Sequence, residues 1–325
     1  MVGVDVAAPG DVTREALVED HAGGLFLHGR SGASVEAVRA LVDGYRADAR
    51  AGSRVPLLVA TDQEGGQVQV LQGPGFSPIP GATDQAGRDP AALREDAAAW
   101  GAQLRAAGVD VNLAPVADLV PAESAAGNPP VGAFDRSYGF TPASVVAGAG
   151  AFGRGMLDAG VIPTIKHFPG LGEVTANTDT DEGVTDDVTT ADAESVDVFG
   201  RVIDATPGAW VMTSTAVYAR IDPHAPAAFS PTVVDGLLRD RLGFDGVVIT
   251  DDVSAAQQVQ AWSPGERAVR AIAAGNDVVL ASARPGVADE MADALVQRAE
   301  DDPAFAAQVD EAARRVLAAK AALPR

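Results

Sequence analysis

A single (β/α)₈ barrel is the fold this chain predicts, on three observations: eight short apolar runs rich in β-branched residues, helical patterns between them, and no composition break that would divide the chain. The first run, "MVGVDV" (1–6), opens the sequence with no helix or leader ahead of it and carries Asp5. "GLFLH" (24–28) exits at His28 and is followed by the helical pattern "SVEAVRALVDGYRADARA". "PLLVAT" (56–61) exits at Asp62, and "AALREDAAAWGAQLRAAG" leads on to "VDVNLA" (109–114), which carries Asn112. "PASVVAGAGAFGRGMLDAG" precedes "VIPTIK" (161–166), which ends in Lys166-His167. "AWVMTS" (209–214) ends at Ser214, "PTVVDGLLRDRLG" leads to "GVVIT" (246–250) with Asp251-Asp252 beyond it, and "GERAVRAIAAG" leads to "DVVLA" (277–281) with Ser282 beyond it. Several of the helical segments open on Ser or Pro and close on Gly, as helices tend to. A doubly wound open sheet uses the same alternation and is the alternative architecture.

Composition narrows the function. The chain has 325 residues, 47% of them hydrophobic but only 5% aromatic, so its core is built from Ala, Val, Leu and Ile. That suits parallel strands covered by Ala-rich helices. No apolar run approaches the roughly 18–20 residues of a membrane span. The net charge of −21 opposes binding to nucleic acid, where counterion release requires Lys and Arg clusters. Cysteine is absent, which removes disulfides, Cys-ligated zinc and thiol nucleophiles. The four histidines, His21, His28, His167 and His224, lack metal-ligand spacing, so neither a metal nor another cofactor is expected.

Barrel enzymes gather reactive groups at the C-terminal ends of their strands. Strand ends are polar in most proteins because they meet solvent, yet here three of the eight exits are rich in carboxylates. "VVITDDVSA" places Asp251 where a strand would hold a carboxylate nucleophile rigidly, with Asp252 as its support or as a helix cap. Both carboxylates acting only as caps is the alternative. "LLVATDQEGGQV" offers Asp62 and Glu64 before Gly65-Gly66, where backbone can approach a ligand closely and an aspartate can accept hydroxyl hydrogen bonds. Arg136, in the Pro/Gly-rich "NPPVGAFDRSYG", can clamp an oxygen. Lys166 and His167 end a buried strand, where an unpaired ammonium is costly, so a carboxylate or ligand oxygen is expected beside them.

The motifs "VATDQEGG", "VNLAPVADL", "NPPVGAFDRSYG", "IKHFPGLG", "LGFDGVVITDD" and "AAGNDVVL" resemble, in order and spacing, those of glycoside hydrolase family 3. The resemblance is to its single-domain bacterial β-N-acetylglucosaminidases and extends from about residue 1 to 285. It implies that Asp251 forms a glycosyl-enzyme intermediate. It also implies that Asp62, Arg136, Lys166 and His167 hold the hydroxyls and N-acetyl group of the sugar. Members of that subgroup usually carry Lys-His-Phe-Pro-Gly-His-Gly followed by an Asp-Ser-His triplet whose histidine is the general acid/base. Here Leu171 stands in place of the loop histidine, and "NTD" (177–179) in place of the triplet. Gln67 replaces an arginine.

The usual proton donor is therefore missing, and Asp179 occupies its position. A carboxyl can do this work if burial or a neighbouring charge such as Asp181 raises its pKa. Asp179 is the expected acid/base, with Asn177 orienting it and lining the sugar site, and Glu173 in reserve. The expected protein is one barrel domain over residues 1–325, a retaining exo-β-N-acetylhexosaminidase acting as a monomer on N-acetylglucosamine-containing glycans or peptidoglycan fragments. A catalytically impaired sugar-binding barrel and a family 3 β-glycosidase of other sugar preference are the alternatives. By analogy with exported relatives, the expected location is the cell envelope.

Overall fold

In the computed structural model, which describes residues 1–323, eight parallel strands follow one another in chain order around a barrel. They are β1 (Val2–Asp5), β2 (Gly24–His28), β3 (Leu58–Thr61), β4 (Val111–Asn112), β5 (Ile162–Phe168), β6 (Trp210–Thr213), β7 (Val248–Asp252) and β8 (Val278–Leu280). The ring closes where Val2 bridges Ala281. There the Gly3 N–H donates to the Ala281 carbonyl (2.8 Å) and the Ala281 N–H to that of Met1 (2.9 Å). This closure excludes the open doubly wound sheet, which leaves two edges unpaired.

Side-chain alternation sorts each strand into two layers. Phe26, Leu58, Ala60, Val111, Met212 and Ile249 pack together inside the barrel. Their neighbours Leu25, Leu27, Val59, Val211 and Val248 face outward into the larger core beneath the helices. The register pairs Asp5 with His28, Leu27 with Thr61, and Thr61 with Asn112, so the strand ends reach one level.

The helices are α1 (Asp11–Val18), α2 (Val35–Gly52), α3 (Pro90–Ala106), α4 (Pro142–Asp158), α5 (Glu194–Ala205), α6 (Thr232–Arg241), α7 (Pro264–Ala273), α8 (Ala288–Asp301) and α9 (Pro303–Ala322). Ser34 caps α2, Asp89 caps α3, and Thr141 and Ser263 form capping boxes at α4 and α7. α6 is wound as a wider π-helix. Two strand boundaries differ from the sequence pattern: the run 109–114 pairs only over Val111–Asn112, and β5 continues to Phe168. Lys166 and His167 therefore lie within a strand, and the peptide bond joining them is cis. Among the described residues no helix is long and apolar enough to cross a membrane.

Candidate active site

The C-terminal mouth of the barrel opens into a cavity of about 530 Å³. Its wall includes Asp62, Arg136, Lys166, His167, Asn177, Asp179, Asp251 and Asp252, along with His28, Leu171 and Ser282. Every site residue expected from the sequence thus reaches one cavity. Three of the polar strand exits do not. Asp5 accepts from the Ala7 N–H (2.9 Å) outside the cavity wall. Asn112 accepts from the Gln63 N–H (3.0 Å) and lies against Met156 of α4. Ser214 is buried on the Tyr218 hydroxyl (3.0 Å).

One side of the cavity is an ion cluster. Lys166 Nζ, almost wholly buried, contacts Asp62 Oδ1 at 2.6 Å and Glu64 Oε1 at 2.7 Å. Arg136 forks onto the same glutamate, Nε to Oε2 at 2.9 Å and Nη2 to Oε1 at 2.8 Å, and donates to the Pro130 carbonyl at 2.6 Å. Burial opposes ionisation of Glu64, but the charges and hydrogen bonds of Arg136 and Lys166 outweigh it and hold its carboxyl down at about 2. Burial likewise works against the Lys166 ammonium, and Asp62 and Glu64 override it, raising its pKa. The cluster is a set of fixed charges at neutral pH.

His167 extends this cluster. Its Nε2 lies 3.3 Å from Arg136 Nη2, and its Nδ1 lies 2.8 Å from Asp118 Oδ2. Asp118 Oδ1 also accepts from the backbone N–H groups of His167 (3.1 Å) and Leu171 (3.0 Å), so one buried carboxylate sets both the ring and the turn that follows it. The pairing of Asp118 with Nδ1 leaves Nε2 on the side of Arg136 and the cavity.

Glu64 and Asp118 were not assigned to the site from the sequence, and both carried a signal. Glu64 is two residues from Asp62, which in extended chain puts both carboxylates on one side. Asp118 follows the apolar run "LAPVA", and a carboxylate buried there must have partners. The glycine pair serves a different end from the one expected. Gly65 has φ +108°, and a Cβ there would collide with Ile79 and the Pro80 carbonyl, so the close approach is to the protein's own backbone.

The opposite side of the cavity holds three carboxylates. Asp251 ends β7 half-buried, its Oδ1 accepting the Asp252 N–H (2.8 Å). Asp252 is not a helix cap, because α7 starts twelve residues later under Ser263. It accepts from the Ser254 N–H and hydroxyl (2.9 and 2.6 Å) and from the N–H groups of Ser282 (3.0 Å) and Ala283 (3.2 Å), tying β7 to β8.

Asp179 reaches into the cavity from the loop after β5. The residue is exposed at the cavity mouth, and partial desolvation by the surrounding protein, followed by the charges of Asp251 and Asp252, pushes its pKa up to about 6. His167 and Arg136 pull in the other direction. Asp181, the neighbour expected to raise it, does not face Asp179 and instead accepts from the Thr180 hydroxyl (2.7 Å). Asn177 acts on the backbone: its Oδ1 accepts the Asp179 N–H at 3.0 Å. Glu173 is absent from the cavity wall; burial, with Asp186 and Glu123, raises its pKa. Gln67 is exposed and also lies outside the wall.

A closed parallel barrel whose C-terminal mouth gathers Asp179, Asp251 and Asp252 into one cavity with Asp62, Lys166, Arg136 and His167 has the architecture of a barrel enzyme. Comparison with known proteins narrows the class. The glycosyl hydrolase family 3 N terminal domain matches residues 1–319. A β-hexosaminidase of Methylococcus capsulatus is 34% identical over 294 residues, covering 88% of this chain and 83% of that protein. The crystal structure of a β-N-acetylhexosaminidase from Beutenbergia cavernae superposes with a TM-score of 0.96 at 59% identity, covering 99% of this chain and 96% of that one. A family 3 β-N-acetylglucosaminidase from a Paenibacillus species superposes with a TM-score of 0.86 at 32% identity, over 98% of this chain and 60% of that one. The chain belongs to glycoside hydrolase family 3, and it is a glycoside hydrolase.

Proposed function

We propose that the chain is a retaining exo-β-N-acetylhexosaminidase that removes terminal β-linked N-acetylglucosamine from glycans or peptidoglycan fragments. The observation that carries this reading is that Asp251 and Asp179 share one cavity wall, where burial and then the charge of Asp251 push the Asp179 carboxyl up to about 6. A retaining glycosidase requires two carboxyl groups in one site, one to give the proton and one to attack the anomeric carbon. The names of the relatives support the hexosamine as the sugar.

In the first step Asp251 attacks the anomeric carbon and forms an ester as the glycosidic C–O bond breaks, the leaving oxygen taking the proton of Asp179. In the second, water attacks the same carbon, Asp179 takes the proton from it, and the Asp251 carboxylate leaves. Asp62, Lys166, Arg136 and His167 grip the sugar's hydroxyls and N-acetyl group. Because Glu64 and Asp118 already fix these groups, little reorganisation is required when substrate enters. The chain works as one barrel domain over residues 1–325 and as a monomer. α9 supports the single-domain reading by packing back against α7 and α8, with Phe305 and Ala312 buried.

A slow fluorinated N-acetylglucosamine analogue, followed by peptide mass mapping, tests the mechanism. The expected result is one covalent adduct on the peptide containing Asp251. Turnover of substrate with an adduct on another residue, or with none, overturns it.

A further inference from the structure

The loop that carries Asp179 runs from Pro169 to Val184 without a helix or strand. Irregular chain of that length samples many conformations unless its neighbours hold it. Here a second loop does so. The turn after β7 presents Gln257 and Gln258, whose backbone N–H groups donate to the carbonyls of Asp179 (3.2 Å) and Thr178 (3.1 Å). The Gln258 side chain, itself buried, then pairs with both backbone groups of Val184: Oε1 accepts its N–H at 2.8 Å and Nε2 donates to its carbonyl at 3.0 Å. One amide thus imitates a strand partner at the far end of the loop.

The turn after β7 is firmly anchored. Arg267 of α7 donates to the carbonyls of Val253 (2.7 Å), Ser254 (2.9 Å) and Trp262 (2.8 Å). Gln260 Nε2 donates to the Ala256 carbonyl at 2.9 Å. This turn begins directly after Asp251 and Asp252, so whatever it holds is held relative to the nucleophile. Gln258 does not line the cavity and so cannot touch substrate there.

We infer that Gln258 is a positioning residue, clasping the loop of the proton donor to the loop that follows the nucleophile so that Asp179 faces the reacting bond before substrate enters. The inference rests on the reading of Asp179 as that donor. Its consequence is a defect confined to proton delivery: releasing the clasp leaves Asp251, Lys166 and Arg136 where they are and lets only the acid wander. Misplacing a catalytic group by about 1 Å is enough to lower a rate about 100-fold.

The test compares kcat/KM across aryl and alkyl N-acetyl-β-glucosaminides of rising leaving-group pKa for wild type, Gln258→Ala and Gln258→Glu. Glutamate keeps the shape and the acceptor for the Val184 N–H but cannot donate to its carbonyl, so it remains informative if the alanine variant fails to fold. The expected result is a loss of about 10- to 100-fold with poor leaving groups, several-fold or less with a dinitrophenyl leaving group, and a smaller loss of the same pattern for Gln258→Glu. Equal losses across the series, or no loss in either variant, overturn the inference. Asp179→Asn, run alongside, separates the two failures. If it shows the leaving-group dependence while the Gln258 variants do not, the clasp alone is wrong. If it shows none, the donor assignment falls first.

Discussion

Replacing Asp179 with asparagine removes the proton and keeps the size of the side chain, and the structure sets how large the effect should be. A carboxyl at its ordinary value of 3.8 is almost wholly ionised at pH 6, whereas one raised to about 6 keeps a substantial protonated fraction, so the surroundings of Asp179 favour the working acid. General acid catalysis contributes about 10²- to 10⁴-fold, and a leaving group that needs no proton forgoes it. Asp179→Asn should therefore lower kcat/KM for a glycan or alkyl glycoside by about 10²-fold or more, and for a dinitrophenyl glycoside by about tenfold or less. With the activated substrate the second step should become limiting, because the base is also gone. Added azide should then restore turnover and yield the β-glycosyl azide, measured by NMR. In wild type kcat/KM with poor leaving groups should fall on its alkaline limb as pH rises through about 6, where Asp179 loses its proton. An asparagine variant that cleaves both substrates at the wild-type rate would refute the reasoning outright, since Asp179 is the one carboxyl of that loop in the cavity wall.

Three further outcomes follow from the same geometry. Glu64→Gln takes away the shared anion of Lys166 and Arg136, and breaking a buried ion pair in this way costs about 3–5 kcal/mol, read by chemical denaturation at pH 7. Because the folded pKa of Glu64 is depressed to about 2 from 4.5, its stabilisation is complete above pH 4.5 and is lost as pH falls toward 2, so wild type should lose more stability than the variant across that window. Gly172→Ala sets a Cβ against the Leu119 carbonyl, and overpacking of this kind costs about 1–3 kcal/mol; an unchanged melting temperature would contradict the contact. Finally, an anionic base repels a second anion, so water should outrun phosphate as acceptor at physiological phosphate, and dominant release of N-acetylglucosamine 1-phosphate would contradict the carboxylate assignment.

The barrel was legible because its signal is repetitive. Eight apolar runs alternating with helical patterns leave few other ways to pair strands, and only boundaries shifted, with β4 paired over Val111–Asn112 alone and β5 running on to Phe168. The cavity residues were legible for a related reason: a charged group at the end of a buried strand has few places to go except the mouth. What could not be read was the partnership among those groups. Glu64 joins Lys166 to Arg136 across separations of 102 and 72 residues, and Asp118 sets His167 from 49 residues away. Local sequence carries no record of such distances. The same holds for Asp179, where the nearer candidate by sequence was Asp181, yet the charges that raise its pKa come from β7, more than 70 residues later. Asn112 and Asp5 misled in the opposite way, since a polar strand end satisfied by nearby backbone looks in sequence like one that faces a ligand.

In the proposed mechanism the protonation of Asp179 follows the state of Asp251. After burial, the charge of Asp251 is the largest influence holding the Asp179 proton in place, and Asp251 gives up that charge when its carboxylate becomes an ester. The pKa of Asp179 must then fall, with burial and Asp252 still opposing ionisation and with His167 and Arg136 favouring it. The group that had to be an acid in the first step is thereby driven toward the base required in the second, without any movement of the loop. This coupling makes the proposed donor's protonation depend on the state of the proposed nucleophile. It also makes a fixed separation between the two a requirement, because a loop free to swing away from Asp251 would lose both the raised pKa and its reversal. That requirement is the physical reason for a clasp between the loops after β5 and β7.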